Sequence, residues 1–135
     1  MKSLRIGIVA SSGGSAFQRM FDCSRFSNRD HSYFVVTDRK CGIEPFCIDN
    51  NVPCERITDA DNDSFSQRAA AYFMESQVDY ILLFFSRLVT SKLFGQMPVL
   101  NIHPALLPAF KGMGAVGKAR KCGVRFMGST LHLVD

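Results

Sequence analysis

An amide and an imidazole two residues apart, Asn101 and His103, close an apolar run and are followed by prolines at 104 and 108. Along an extended strand, residues i and i+2 share a face, so both side chains are expected to enter one pocket. Pro104 lacks the backbone donor that sheet pairing needs and should end the strand at once. Pro108 holds the following loop out of helix. An N–H donor beside a titratable ring suits a reaction in which an oxygen gains negative charge while a proton moves, which is what acyl transfer requires. A strand-end histidine bonded to backbone is the plainer alternative for such a residue standing alone.

Two other stretches carry reactive or ligand-binding groups. Ser11-Ser12-Gly13-Gly14-Ser15 lies between an apolar run and a helical pattern. Small residues there let backbone N–H groups approach an anion, with the helix N-terminus adding positive potential. It has neither the GxGxxG spacing nor the lysine of a P-loop, and a tight turn would use the same residues. Ser86-Arg87-Leu88 follows the most apolar run of the chain. Its arginine has either a carboxylate or a polar ring edge to grip, or water.

The elements that must position these groups are legible from periodicity. Strands are expected at 4–10, 33–37, 56–57, 78–85, 98–102 and 127–134, and helices at 16–21, 41–50, 61–76, 90–94 and 115–122. Ser15 and Thr90 or Ser91 read as N-caps, and Gly123 as the C′ residue of its helix. Phe65, Ala69, Tyr72 and Phe73 share one helix face. Strands alternate with helices, and the connections are too long for hairpins. That predicts an open, mostly parallel sheet with helices on both faces and right-handed crossovers. Ligands of such sheets sit beyond the carboxyl ends of the strands, where all three stretches fall.

Composition sets limits. The 135 residues, 47% of them apolar, make one domain with one core. No apolar run approaches the ~20 residues of a membrane helix. The opening segment is short, β-branched and broken by glycine, so it reads as a buried strand rather than a signal peptide. The net charge of +4 is mild; Lys111, Lys118, Arg120, Lys121 and Arg125 read as a solvated helix face, with phosphate contact the alternative. No interleaving of aromatic and basic residues marks a nucleic-acid partner. Five cysteines with no CxxC pair fit free thiols in the cytoplasm and no metal site; Cys23 reads as a small core residue.

The run from Asn101 to Pro108, with Phe110 and Gly112 after it, resembles the signature of the folate-dependent formyltransferase family. The resemblance continues through Ala119, Gly123, Gly128 and Ser129-Thr130-Leu131-His132, and upstream through the Gly13-Gly14-Ser15 turn and Arg87. It implies a Rossmann-like domain over 1–135. It also implies formyl transfer from 10-formyltetrahydrofolate, as cosubstrate, to the amine of glycinamide ribonucleotide in purine synthesis. The catalytic pair then falls on Asn101 and His103, with Ile102 and Pro104 in the substrate pocket. The substrate phosphate falls on Gly13, Gly14, Ser15 and Ala16, and the folate on Ser86, Arg87, Leu88 and Val89. Formyltetrahydrofolate deformylases resemble the chain less, having His-His where it has His103-Pro104.

The same resemblance places the family's catalytic aspartate, its last strands and its final helix beyond Asp135. Ala16 stands where the family commonly has asparagine, Val116 where it has histidine, and Phe84-Phe85 where smaller residues make room for ligand. These departures support a second expectation, a folate or nucleotide binder without catalysis. An uncovered last strand carrying Leu131 and Leu133 predicts a homodimer.

Overall fold

The computed structural model describes residues 3–23 and 31–135. Six strands form one sheet in the order β3-β2-β1-β4-β5-β6. They are β1 (Arg5–Ala10), β2 (Ser32–Thr37), β3 (Cys54–Arg56), β4 (Tyr80–Phe84), β5 (Val99–His103) and β6 (Thr130–Leu133). The first five are parallel, and β6 runs antiparallel to β5. The helices are α1 (Ser15–Asp22), α2 (Ile43–Asp49), α3 (Asn62–Glu75), α4 (Ser91–Phe94) and α5 (Ala115–Lys121). The expected α/β architecture is thus observed, with one antiparallel strand at the edge.

Strand alternation divides the core into two layers. Ile6, Ile8 and Ala10 of β1 pack with Val35, Leu82, Phe17 and Ile43 under α1 and α2. Val9, Val36, Ile81 and Leu83 pack on the other face with Phe65, Ala69 and Phe73 of α3. Gly7 is glycine because of this second layer: a Cβ there would stand 2.9 Å from Cε1 of Phe73. The strands read as unbroken apolar runs because both their faces are covered.

The helix ends depart from expectation at one place. Gly14, not Ser15, is the N-cap of α1; it has φ 63°, and no side chain caps the helix. A Cβ at Gly14 would lie 2.5 Å from Cδ1 of Ile43, so close packing and the left-handed backbone both call for glycine. Ser15 is the first helical residue instead. Of the two candidates at α4, Thr90 rather than Ser91 is the cap, and Gly123 has φ 66° as expected; Asp61, where the α3 pattern begins, caps that helix by accepting from the Ser64 N–H. Cys23 is exposed, not a core residue, because it lies just past α1, whose inward face is Phe17 with Met20 and Phe21. The five cysteines are all free thiols.

Candidate active site

The carboxyl edge of the sheet holds a cavity of about 450 Å³. Asn101, His103, Arg87, Leu88, Val89, Phe85 and His132 are among the residues that line it. Asn101 and His103 therefore do enter one pocket from alternate positions of β5. Ile102, between them, faces the other way and is 45% exposed, and neither it nor Pro104 lines the cavity. The substrate-pocket expectation for Ile102 thus meets the side-chain alternation of the strand itself. Phe85 lines the cavity and stacks on Phe65 at 5.0 Å, whereas Phe84 packs into the α1–α2 layer and does not line this cavity.

His132 is the site residue that sequence reasoning missed. It lies directly opposite Asn101 across the antiparallel β5–β6 pair. Its Nδ1 is 2.8 Å from the Leu133 carbonyl oxygen. A carbonyl only accepts, so this bond puts a proton on Nδ1 and leaves Nε2 as an acceptor in the neutral ring. The Asn101 Nδ2 donates to that Nε2 at 3.3 Å. One N–H of the amide is thereby fixed, and its other N–H is left for a ligand oxygen. The signal was available only in the strand register, which periodicity does not give.

His103 is held in a similar way. Its Nε2 is 2.9 Å from the Phe110 carbonyl oxygen, so Nε2 carries the proton and Nδ1 is the nitrogen free to exchange one. Phe110 has φ 52°, a left-handed backbone at a non-glycine residue, which the surrounding loop must hold in place. Thr130 clamps that loop from the edge strand: its hydroxyl accepts from the Leu107 N–H at 3.0 Å and donates to the Ala105 carbonyl at 2.8 Å.

Arg87 turns inward rather than into water. Its Nε and Nη2 donate to the Asn62 side-chain oxygen, Nη1 to the Asp59 carbonyl, and Nη2 also to the Ala60 carbonyl. Its guanidinium also lies 5.1 Å from the Phe65 ring centre. Behind it is Asp38, at the end of β2, whose side chain is only 2% exposed. Burial alone would raise the Asp38 pKa, but hydrogen bonds and charge from Arg39, with a hydrogen bond from Ser11, hold it below the ordinary carboxylate range.

The Gly13–Ala16 turn does not line the 450 Å³ cavity. It begins beside it, since the Ser86 N–H donates to the Ser11 hydroxyl at 3.3 Å. The sequence-derived phosphate and folate stretches are thus neighbours at the ends of β1 and β4, the point where strand order reverses from the centre outward. Lys111 lines the cavity, while Lys118, Arg120, Lys121 and Arg125 are exposed. Among the described residues no group of three or more His, Cys, Asp or Glu side chains could hold a metal ion.

A doubly wound sheet with a cavity at its carboxyl edge and a fixed amide–imidazole pair inside defines a Rossmann-like α/β domain. Residues 4–135 match the formyl transferase family, and the chain belongs to that family. It is 32% identical over 145 residues to the chloroplastic phosphoribosylglycinamide formyltransferase of Arabidopsis thaliana, covering 97% of this chain and 50% of that one. It is 30% identical over 139 residues to the phosphoribosylglycinamide formyltransferase of Mycobacterium tuberculosis, covering 97% and 64%. The chain therefore spans about half to two thirds of these relatives. The solved glycinamide ribonucleotide transformylase 1 of Symbiobacterium toebii superposes with a TM-score of 0.88 at 28% identity, over 98% of this chain and 66% of that one. Its counterpart from Geobacillus kaustophilus gives 0.86 at 29%, over 99% and 76%.

Proposed function

We propose that the chain takes part in formyl transfer from 10-formyltetrahydrofolate to the amine of glycinamide ribonucleotide, a step of purine synthesis. The observation that carries this reading is the pair Asn101 and His103, each oriented by its own hydrogen bond in one cavity, within a chain that matches relatives of this activity. The cavity has room for a bicyclic ring, its Leu88, Val89, Leu107 and Met113 supplying apolar walls. The bound folate supplies the formyl group. Asn101 donates its free N–H to the formyl oxygen as that oxygen gains charge. His103 moves a proton through Nδ1, while its Nε2–H stays on the Phe110 carbonyl. Gly13, Gly14, Ser15 and Ala16 receive the substrate phosphate at the start of α1, and Ser86, Arg87, Leu88 and Val89 border the folate through their backbone.

The five free thiols support a reducing compartment such as the cytoplasm. No helix among the described residues is long and apolar enough to cross a membrane.

The test is an absorbance assay of formyl transfer with 10-formyltetrahydrofolate and glycinamide ribonucleotide, paired with calorimetry of each ligand. Turnover that disappears in Asn101→Ala supports the reading. Binding of both ligands without turnover makes the chain a binding module, and failure to bind either sinks the assignment.

A further inference from the structure

An acidic residue at the end of the second strand of a doubly wound sheet commonly meets a ribose hydroxyl. Asp38 occupies that position but has no face to offer, since its side chain is 2% exposed. Arg39 forks it, Nε to Oδ1 at 3.0 Å and Nη2 to Oδ2 at 2.6 Å. The Ser11 hydroxyl donates to it, and that same hydroxyl accepts from the Ser86 N–H at 3.3 Å. Nη1 of Arg87 stands 3.6 Å from Oδ2. One buried carboxylate thus touches groups from the loop after β1 and the loop after β4. Through Arg87 it also reaches the Asp59–Asn62 segment ahead of α3. Asp38 does not line the large cavity.

From this arrangement we infer that Asp38 is a positioning residue, which holds the phosphate loop and the folate loop in register from behind the site. The inference rests on the proposed function only for which ligands the loops take; the register itself is a property of the chain. Removing the negative charge frees Ser11 and leaves Arg39 and Arg87 facing each other without an anion between them. The Ser86 amide then loses its acceptor geometry, and both loops move together.

The experiment compares the wild type with Asp38→Asn and with Val36→Ala. Val36 is fully buried in the same strand, packs on the α3 side and has no polar side-chain atom to bond either loop, so it controls for lost stability without lost hydrogen bonds. Amide hydrogen exchange and calorimetry with 5-formyltetrahydrofolate and with glycinamide ribonucleotide are measured on each. In Asp38→Asn, Ser86 and the 11–16 loop should exchange about tenfold faster while β1 and β4 stay protected, and both affinities should fall about tenfold. Val36→Ala should leave loop exchange and both affinities within about twofold at a comparable loss of melting temperature. Unchanged loop exchange in Asp38→Asn, or the same changes in Val36→Ala, overturns the inference. A wild type that binds neither ligand counts against the proposed function, and the exchange of Ser86 still decides the role of Asp38.

Discussion

Hydrogen bonds to the two proposed reacting groups set the hierarchy of effects at the residue scale. Asn101→Ala removes the donor itself, and the rate should fall by about 10²–10³. His132→Ala leaves the donor but frees its orientation, which should lower kcat about tenfold with little change in KM for the folate. Equal losses in the two variants, in steady-state kinetics, would mean that His132 meets the substrate directly. Three carboxylates are held below their ordinary range, Asp61 by the backbone hydrogen bond from Ser64 and Glu44 and Asp38 by side chains. Hydrogen bonds from Arg56 hold the Glu44 pKa down against burial; at Asp38 burial is the largest influence and works upward, but Arg39 and Ser11 outweigh it. A group with a depressed folded value stabilises the fold above its unfolded value, near pH ~4. That contribution is lost as pH falls through the folded value. Urea unfolding measured from pH 7 to pH 3 should show a constant stability that declines below about pH 4. The decline should be shallower in Glu44→Gln.

At the element scale, each loop owes its shape to what lies under it. Gly14 combines a left-handed backbone with a 2.5 Å approach to Ile43. Gly14→Ala should therefore cost the ~1–2 kcal/mol of the backbone change plus the displacement of Ile43. Chemical denaturation would detect this, and a loss under ~0.5 kcal/mol would show that α1 can shift to absorb the methyl. The sequence already carried most of this frame: six apolar runs alternating with five helical patterns, the cap at Thr90, and the turn at Gly123. It also carried the shared pocket of Asn101 and His103, because a period of two is local. It did not carry the N-cap of α1, where Ser15 fits the usual preference and tertiary packing of Ile43 selected Gly14 instead. Nor did it carry His132 or Thr130, whose roles come from antiparallel register, or the inward turn of Arg87, whose acceptors are 25–28 residues away. Such partners are fixed by topology, and no local pattern encodes them.

For the whole molecule, the two faces of the sheet are unequal at one end. Helices cover β1, β2 and β4 on both sides, but the outward face of β5 and β6 presents Ile102 at 45% exposure and Leu131 and Leu133 at 60% each. Leu106, 58% exposed, and Phe126, 87% exposed, line a small cleft together. The polar residues of β6, Thr130 and His132, point the other way, into the loop clamp and the cavity. Among the described residues β6 pairs with β5 alone, so its second edge has no strand partner. An apolar face next to an open strand edge favours association with another chain, by pairing of edges or burial of the patch. The expected state is a dimer formed through β6 at micromolar concentration. Light scattering across a dilution series should show the mass halving, and Leu131→Lys with Leu133→Glu should hold the chain monomeric. Because both leucines face away from Asn101, the double variant should keep wild-type folate affinity. A wild-type chain that scatters as a monomer at the highest concentration would show that this face is tolerated in water without a partner.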